Sequence, residues 1–163
     1  MTEPAAPGAP EIRALSVPFA DIPALEGRSF LGDWFVVDPG KLPLFDEASY
    51  VTDNPYPLDS SGYPDNMVEG FHLLALLDHL TNPLLRISGG PCIGWNYGLD
   101  RVRFVSPIRA GQKIRVSGTV GAVRPKHDGF LILCRCAVEV EGHDRPGMVA
   151  DWWTYWRREP GDE

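Results

Sequence analysis

One segment of this chain carries a helical period, and almost everything after it carries a period of two. From Val68 to Leu84 the residues Phe71, Leu74, Leu77 and Leu80 recur at helical spacing, and Leu73, Ala75 and Leu76 fill most of the remaining surface. A helix that is apolar around most of its circumference has to be buried on nearly all sides. Asp65 or Asn66 is placed to cap its start, and Asn82-Pro83 ends it. Beyond that point alternation takes over. Cys134, Cys136, Val138 and Val140 interleave with Arg135, Ala137, Glu139 and Glu141, as in a strand with one covered face. Strands are predicted over about 93–106, 112–124, 128–142 and 146–157, with turns at SPIRAG, RPKHDG and EGHDRPG. One thoroughly buried helix with strand segments before and after it leads to an antiparallel sheet wrapped around that helix, an α+β layout with one shared core.

The N-terminal half is less regular. Residues 1–14 read as a disordered tail rich in Pro, Ala and Gly, residues 15–158 as the folded domain, and 159–163 as a short C-terminal tail. GDWFVV is a candidate first strand, and Asp38-Pro-Gly-Lys a turn after it. Leu42 to Ala48 fits a short helix with Leu44, Phe45 and Ala48 on one side. Residues 50–66 hold three prolines and several Asp and Asn. An irregular loop of that length is usually functional or mobile.

Composition excludes several function classes. The net charge is −7, with no basic stripe to neutralise phosphates, so no nucleic-acid partner is expected. No apolar run approaches the roughly 20 residues that span a membrane. The N-terminus lacks the basic and apolar regions of a signal peptide, and the expected compartment is the cytoplasm. Three cysteines argue against a disulfide framework, with Cys134 and Cys136 expected as small buried hydrophobes. The four histidines are scattered, and neither a metal nor another cofactor is expected. Arg101, Arg103, Arg109, Lys113 and Arg115 form a local basic cluster, read either as a phosphate or acidic-carrier contact or as a solvated strand face.

Five segments in order resemble the MaoC-like, NodN-type hydratase family. GDWFVVDPGKLPLFDEAS resembles that family's first strand and following helix. VEGFHLLALL is similar to its central helix, WNYGLDRVRF and SPIRAGQKIR to its next strand and turn, and VEVEGHDRPGMVADWWTYW to its last hairpin. The resemblance runs from about Phe19 to Arg157. It implies a single hotdog domain, a curved sheet around one central helix, and hydration or dehydration of acyl thioesters carried by coenzyme A or an acyl carrier protein. It also implies a homodimer with its pockets at the protomer interface.

The family's catalytic loop departs from the pattern here. The family places an Asp and, five residues later, a His in that loop. In SYVTDNPYPLD, alignment through Asn54-Pro55 and Asp59 puts Thr52 and Pro57 at those positions, and alignment from Phe45 puts Val51 and Tyr56 there. A one-residue deletion lets Asp53 keep the acidic role. No register supplies a His, and proline transfers no proton, so the standard dyad is incomplete. At the head of the central helix the family's His-Gly is Glu69-Gly70. The Gly70 N–H is retained, and a helix N-terminus favours developing negative charge on a thioester carbonyl.

The candidate catalytic residues are therefore Asp53, Tyr56, Glu69, Gly70 and His72. Each non-glycine has a plain alternative. Asp53 fits a general base or an Asx turn beside Asn54-Pro55. Tyr56 fits a hydrogen-bond donor or an aromatic packing the loop. Glu69 fits a catalytic carboxylate or one favoured by the helix dipole. His72, three residues on, can face Glu69 or be a satisfied core histidine. Asn54, Asp59, Asn96 and Tyr97 are the candidate substrate-binding residues, with local hydrogen bonding and strand packing as alternatives. Trp152, Trp153 and Trp156 either wall a pocket or cover the outer face. The leading reading is a dehydratase or hydratase with a non-standard site. The alternatives are the same scaffold turned to cyclising or isomerising a polyketide-like substrate, a catalytically silent subunit paired with an active homologue, and, more distantly, a thioesterase.

Overall fold

The computed structural model describes residues 13–53 and 62–159. Its elements in chain order are β1 (Leu15–Pro18), β2 (Ser29–Leu31), β3 (Phe35–Val36), α1 (Leu42–Ala48), α2 (Gly70–Thr81), β4 (Leu85–Ser88), β5 (Cys92–Phe104), β6 (Lys113–Lys126), β7 (Gly129–Val140) and β8 (Met148–Arg158). A 3-10 segment, Phe19–Leu25, follows β1 and buries Phe19, Ile22 and Leu25.

The main sheet is antiparallel in the order β2-β6-β7-β8-β5, with β3 beside β6. The four long strands coincide closely with the alternating segments of the sequence. The inward faces of β6 and β7 carry Ile114, Val116, Val120, Ile132, Cys134, Cys136, Val138 and Val140, all buried. Leu73, Leu77 and Leu80 of α2 close this core, and full burial of each such side chain contributes about 1.5–3 kcal/mol. Burial pushes the Cys134 thiol up to about 12, and Cys136 moves the same way, so both sulfurs act as packing groups.

Three features differ from the sequence expectation. Of GDWFVV only Phe35–Val36 forms a strand, and Ser29–Leu31 supplies the adjacent one. Leu15–Pro18 pairs in parallel with Leu85–Ser88 as a small second sheet, and Arg13 already pairs with Leu31. The central helix is shorter than 68–84, because Val68 N–H donates to the Ile108 carbonyl and Ala110 N–H to the Asn66 carbonyl. That pairing ties Met67 and Val68 to the 108–110 segment, with Asn66 in a turn at φ 55°, and delays the helix to Gly70.

The helix is also not covered all round. Phe71 is 75% exposed, and Ala75 and Asp78 on the same stripe are exposed too. The stripe faces β5, which forms one edge of the sheet. Three of the five clustered cations are held by carboxylates on the sheet: Arg101 by Asp151, Lys113 by Glu141, and Arg115 by Glu139. These three are taken up in ion pairs within the chain, Arg115 with its side chain largely covered beside Trp34. Among the described residues no helix is long and apolar enough to cross a membrane.

Candidate active site

Gly70 is the first residue of α2, and Glu69 is its N-cap in an extended conformation. This corrects the expectation that Asp65 or Asn66 caps the helix. Glu69 makes no side-chain cap hydrogen bond, so the residue that ordinarily satisfies a leading N–H leaves it available. Glutamate at this place still interacts favourably with the helix dipole. Gly70 packs closely against the half-exposed Phe104 ring, which would have to shift for any larger residue. A Cβ there would lie 2.7 Å from Cε2 of Phe104, at the end of β5.

His72 is 8% exposed. Its ring lies flat on Phe45 of α1, with centroids 4.4 Å apart and an interplanar angle of 7°. Burial lowers its pKa below the ordinary histidine value, while the carboxylates of Asp46 and Glu69 pull it back upward. The imidazole is therefore neutral at pH 7. The consequence for stability has a definite sign. The unfolded chain takes up the proton first as pH falls, so this contribution is complete above the ordinary histidine pKa and lost as pH drops through the lower folded value. Between about pH 7 and pH 5, urea midpoints of the wild type are expected to fall more steeply than those of His72→Phe. Parallel curves would show that His72 is not held neutral by its burial.

A second part of the site lies along the helix. Between α2 and β5 runs a cleft of about 250 Å³. Leu74, Leu77 and Trp152 form its floor, and the exposed Asp78 and Asn96 stand at its rim. Because Gly70 meets Phe104 while Asp78 shares the cleft with Asn96, β5 runs antiparallel to the helix. A register shift between Asn96 and Gly98 leaves Tyr97 unpaired with β8, and such a bulge re-aims the side chain. The Tyr97 hydroxyl accepts from Lys126 Nζ at 2.7 Å.

The candidate residues thus fall into groups. Glu69, Gly70 and His72 come together at the head of α2, with Asp46 as an unforeseen fourth member. Asn96 and Tyr97 sit on the cleft, with Asp78 as an unforeseen partner and Trp152 taking the pocket-wall alternative of its pair of readings. Asp53 ends the 3-10 turn Val51–Asp53 and is exposed. Among the described residues no hydrogen bond or ion pair joins it to Glu69 or His72. Asn54, Tyr56 and Asp59 lie outside the described residues. Among the described residues no cluster of His, Cys, Asp and Glu is arranged to hold a metal. Asp78 had a readable signal, since Phe71, Ala75 and Asp78 form one stripe at i, i+4 and i+7. Asp46 had none, because its link to His72 is made only when α1 folds onto α2.

The tryptophans of β8 divide between the faces. Trp152 and Trp156 look inward and line cavities beside the helix. Trp153 faces out, donating to Asp100 at 2.9 Å beneath the Arg124 guanidinium.

No protein-family model matches the chain. It is 30% identical over 155 residues to nodulation protein N of Rhizobium leguminosarum bv. viciae, covering 88% of this chain and 93% of that protein. It is 28% identical over 138 residues to 3-hydroxyacyl-thioester dehydratase Z of Mycobacterium tuberculosis, covering 81% of this chain and 91% of the other. Among solved structures, the unliganded R-hydratase PhaJ1 of Pseudomonas aeruginosa superposes with a TM-score of 0.62 at 18% identity, covering 87% of this chain and 86% of that one. The shared architecture is the hotdog fold.

Proposed function

The chain belongs to the nodulation protein N family of MaoC-like proteins, and from that membership we propose that it is an acyl-thioester dehydratase/hydratase that interconverts 3-hydroxyacyl and 2-enoyl thioesters. The observation that carries the reading is the uncapped head of α2, where Gly70 N–H, Glu69 and His72 converge beside an open cleft. The thioester carbonyl accepts from Gly70 N–H, which stabilises the negative charge that develops when the α-proton leaves. Glu69 takes that proton and returns it to the departing β-hydroxyl, so water and the 2-enoyl thioester are the products. His72, neutral and clamped on Phe45, positions Glu69 rather than touching substrate. Asp53 and Tyr56 are the competing loop-borne pair. The position of Glu69 immediately before the Gly70 N–H at the head of α2 favours the helix-borne group.

The acyl carrier is coenzyme A or a carrier protein, and the working unit is a homodimer. The support for a dimer is the long edge strand β5, whose Trp95, Tyr97, Leu99 and Phe104 are all at least 40% exposed. An open apolar edge of this kind is a liability in a monomer.

The test is loss of enoyl absorbance when the protein is mixed with trans-2-enoyl-CoA. Wild type is expected to turn over. Glu69→Gln should lose about 100-fold or more, as for a displaced acid–base group, with Asp53→Asn close to wild type. If Asp53→Asn is the dead variant, the loop carboxylate is the base. A folded wild-type dimer with no turnover on any chain length overturns the activity.

A further inference from the structure

Among the described residues Trp152 alone lines both the α2–β5 cleft and a second, interior cavity of about 30 Å³. The interior cavity lies past the far end of the helix, among Leu15, Phe30, Val120, Cys134 and Trp156. Asn82 stands exposed at its mouth, and its two buried hydroxyls are already used. Thr81 Oγ1 donates to the Leu77 carbonyl at 2.7 Å, and Thr154 Oγ1 accepts from Trp156 Nε1 at 2.9 Å. The rest of the lining is apolar and suits a hydrocarbon tail better than water. The other two tryptophans of β8 are pinned, Trp156 by Thr154 and Trp153 by Asp100. Trp152 Nε1 has no acceptor among the described residues, so only packing holds the indole between the two spaces.

Resting on the acyl-thioester reading, we propose that Trp152 sets the acyl chain length this protein accepts. With the thioester at Gly70, the tail runs along the helix over Leu74 and Leu77. The axial distance from Gly70 to Leu77 is about 10 Å at the α-helical rise. There the tail meets the indole, which closes the cleft against the interior cavity. The substrate class is a short- to medium-chain acyl thioester. Removing the indole joins cleft to cavity and admits a longer tail.

The experiment is calorimetric binding of saturated butyryl-, hexanoyl-, octanoyl-, decanoyl- and dodecanoyl-CoA to wild type, Trp152→Leu and Trp152→Ala, with Trp153→Ala as the control on the opposite face. Saturated thioesters report binding without chemistry. The same variants are run in the hydration assay, and melting curves confirm folding. In wild type, Kd is expected to improve with length and then level off. In the two Trp152 variants the levelling moves to longer chains by about two carbons or more, each added methylene tightening Kd about fourfold, while Trp153→Ala keeps the wild-type profile. An unchanged cut-off in both Trp152 variants overturns the proposal and leaves hydration untouched. A shifted cut-off with no turnover in any protein upholds the length stop and overturns the hydratase reading. No acyl-CoA binding at any length overturns both.

Discussion

Replacing Gly70 with proline is expected to lower kcat for enoyl-thioester hydration by about 100- to 1,000-fold, the usual cost of losing one oxyanion donor. Proline lacks the N–H and so deletes the proposed donor directly. The backbone is prepared for it. Gly70 occupies the first helical position, where proline is well tolerated, and Glu69 before it is extended at φ −60°, ψ 150°, as a residue preceding proline must be. The complication is steric, because any Cβ at position 70 meets the Phe104 ring. Gly70→Ala carries the same Cβ and keeps the N–H. If the N–H acts on the carbonyl, alanine falls well short of the proline loss, and circular dichroism shows equal helix in both. Equal losses would assign the effect to displacement of Phe104 instead.

The fold was legible because its two periods are physically distinct. Alternation in 112–142 marks a half-covered strand pair whatever the loops do, and the apolar 71–80 segment forms a helix only if a sheet curls over it. The errors arose where tertiary pairing overrides a local signal. Asp65 and Asn66 are good capping groups, yet the backbone of 66–68 bonds to 108–110, so the helix starts later. Leu15–Pro18 and Leu85–Ser88 are too short to announce themselves and are strands only because they pair with each other.

The site was legible in part. Gly70, Glu69 and His72 are close in sequence, and a helix keeps them close in space. Asn96 and Tyr97 required a second element at the right height beside the helix, which the antiparallel run of β5 provides. Asp46 escaped, and the choice between the two readings of Trp152 stayed open, because both depend on contacts between elements far apart in the chain. Trp152 differs from Trp153 only by which side of the sheet it faces, and a bulge on the neighbouring strand makes that parity hard to count from sequence alone.

The largest effect on assembly is expected from Phe71→Glu, which should convert the proposed dimer to monomer. In one protomer the change is harmless. The ring is 75% exposed, so little packing is lost, and a carboxylate in the first turn of a helix is favoured by about 0.3–1 kcal/mol. Across a dimer interface the same carboxylate is buried without a partner. Loss of an interface anchor costs about 2 kcal/mol or more, at least ~30-fold in the dimer Kd, and an unpaired buried charge adds to that. Leu99→Glu tests the other end of the same surface, on β5, where the native side chain is 41% exposed. Sedimentation velocity of wild type and both variants distinguishes the outcomes, with melting temperature as the check on the protomer. Two folded monomeric variants beside a dimeric wild type would place the subunit contact on the open stripe of α2 and the edge of β5. The contact would then close the cleft from the solvent side, and both monomers should lose hydration even though neither substitution removes the Gly70 N–H. Variants that remain dimeric would put the contact elsewhere and leave the cleft open to water. That outcome is incompatible with the proposed path of the acyl chain.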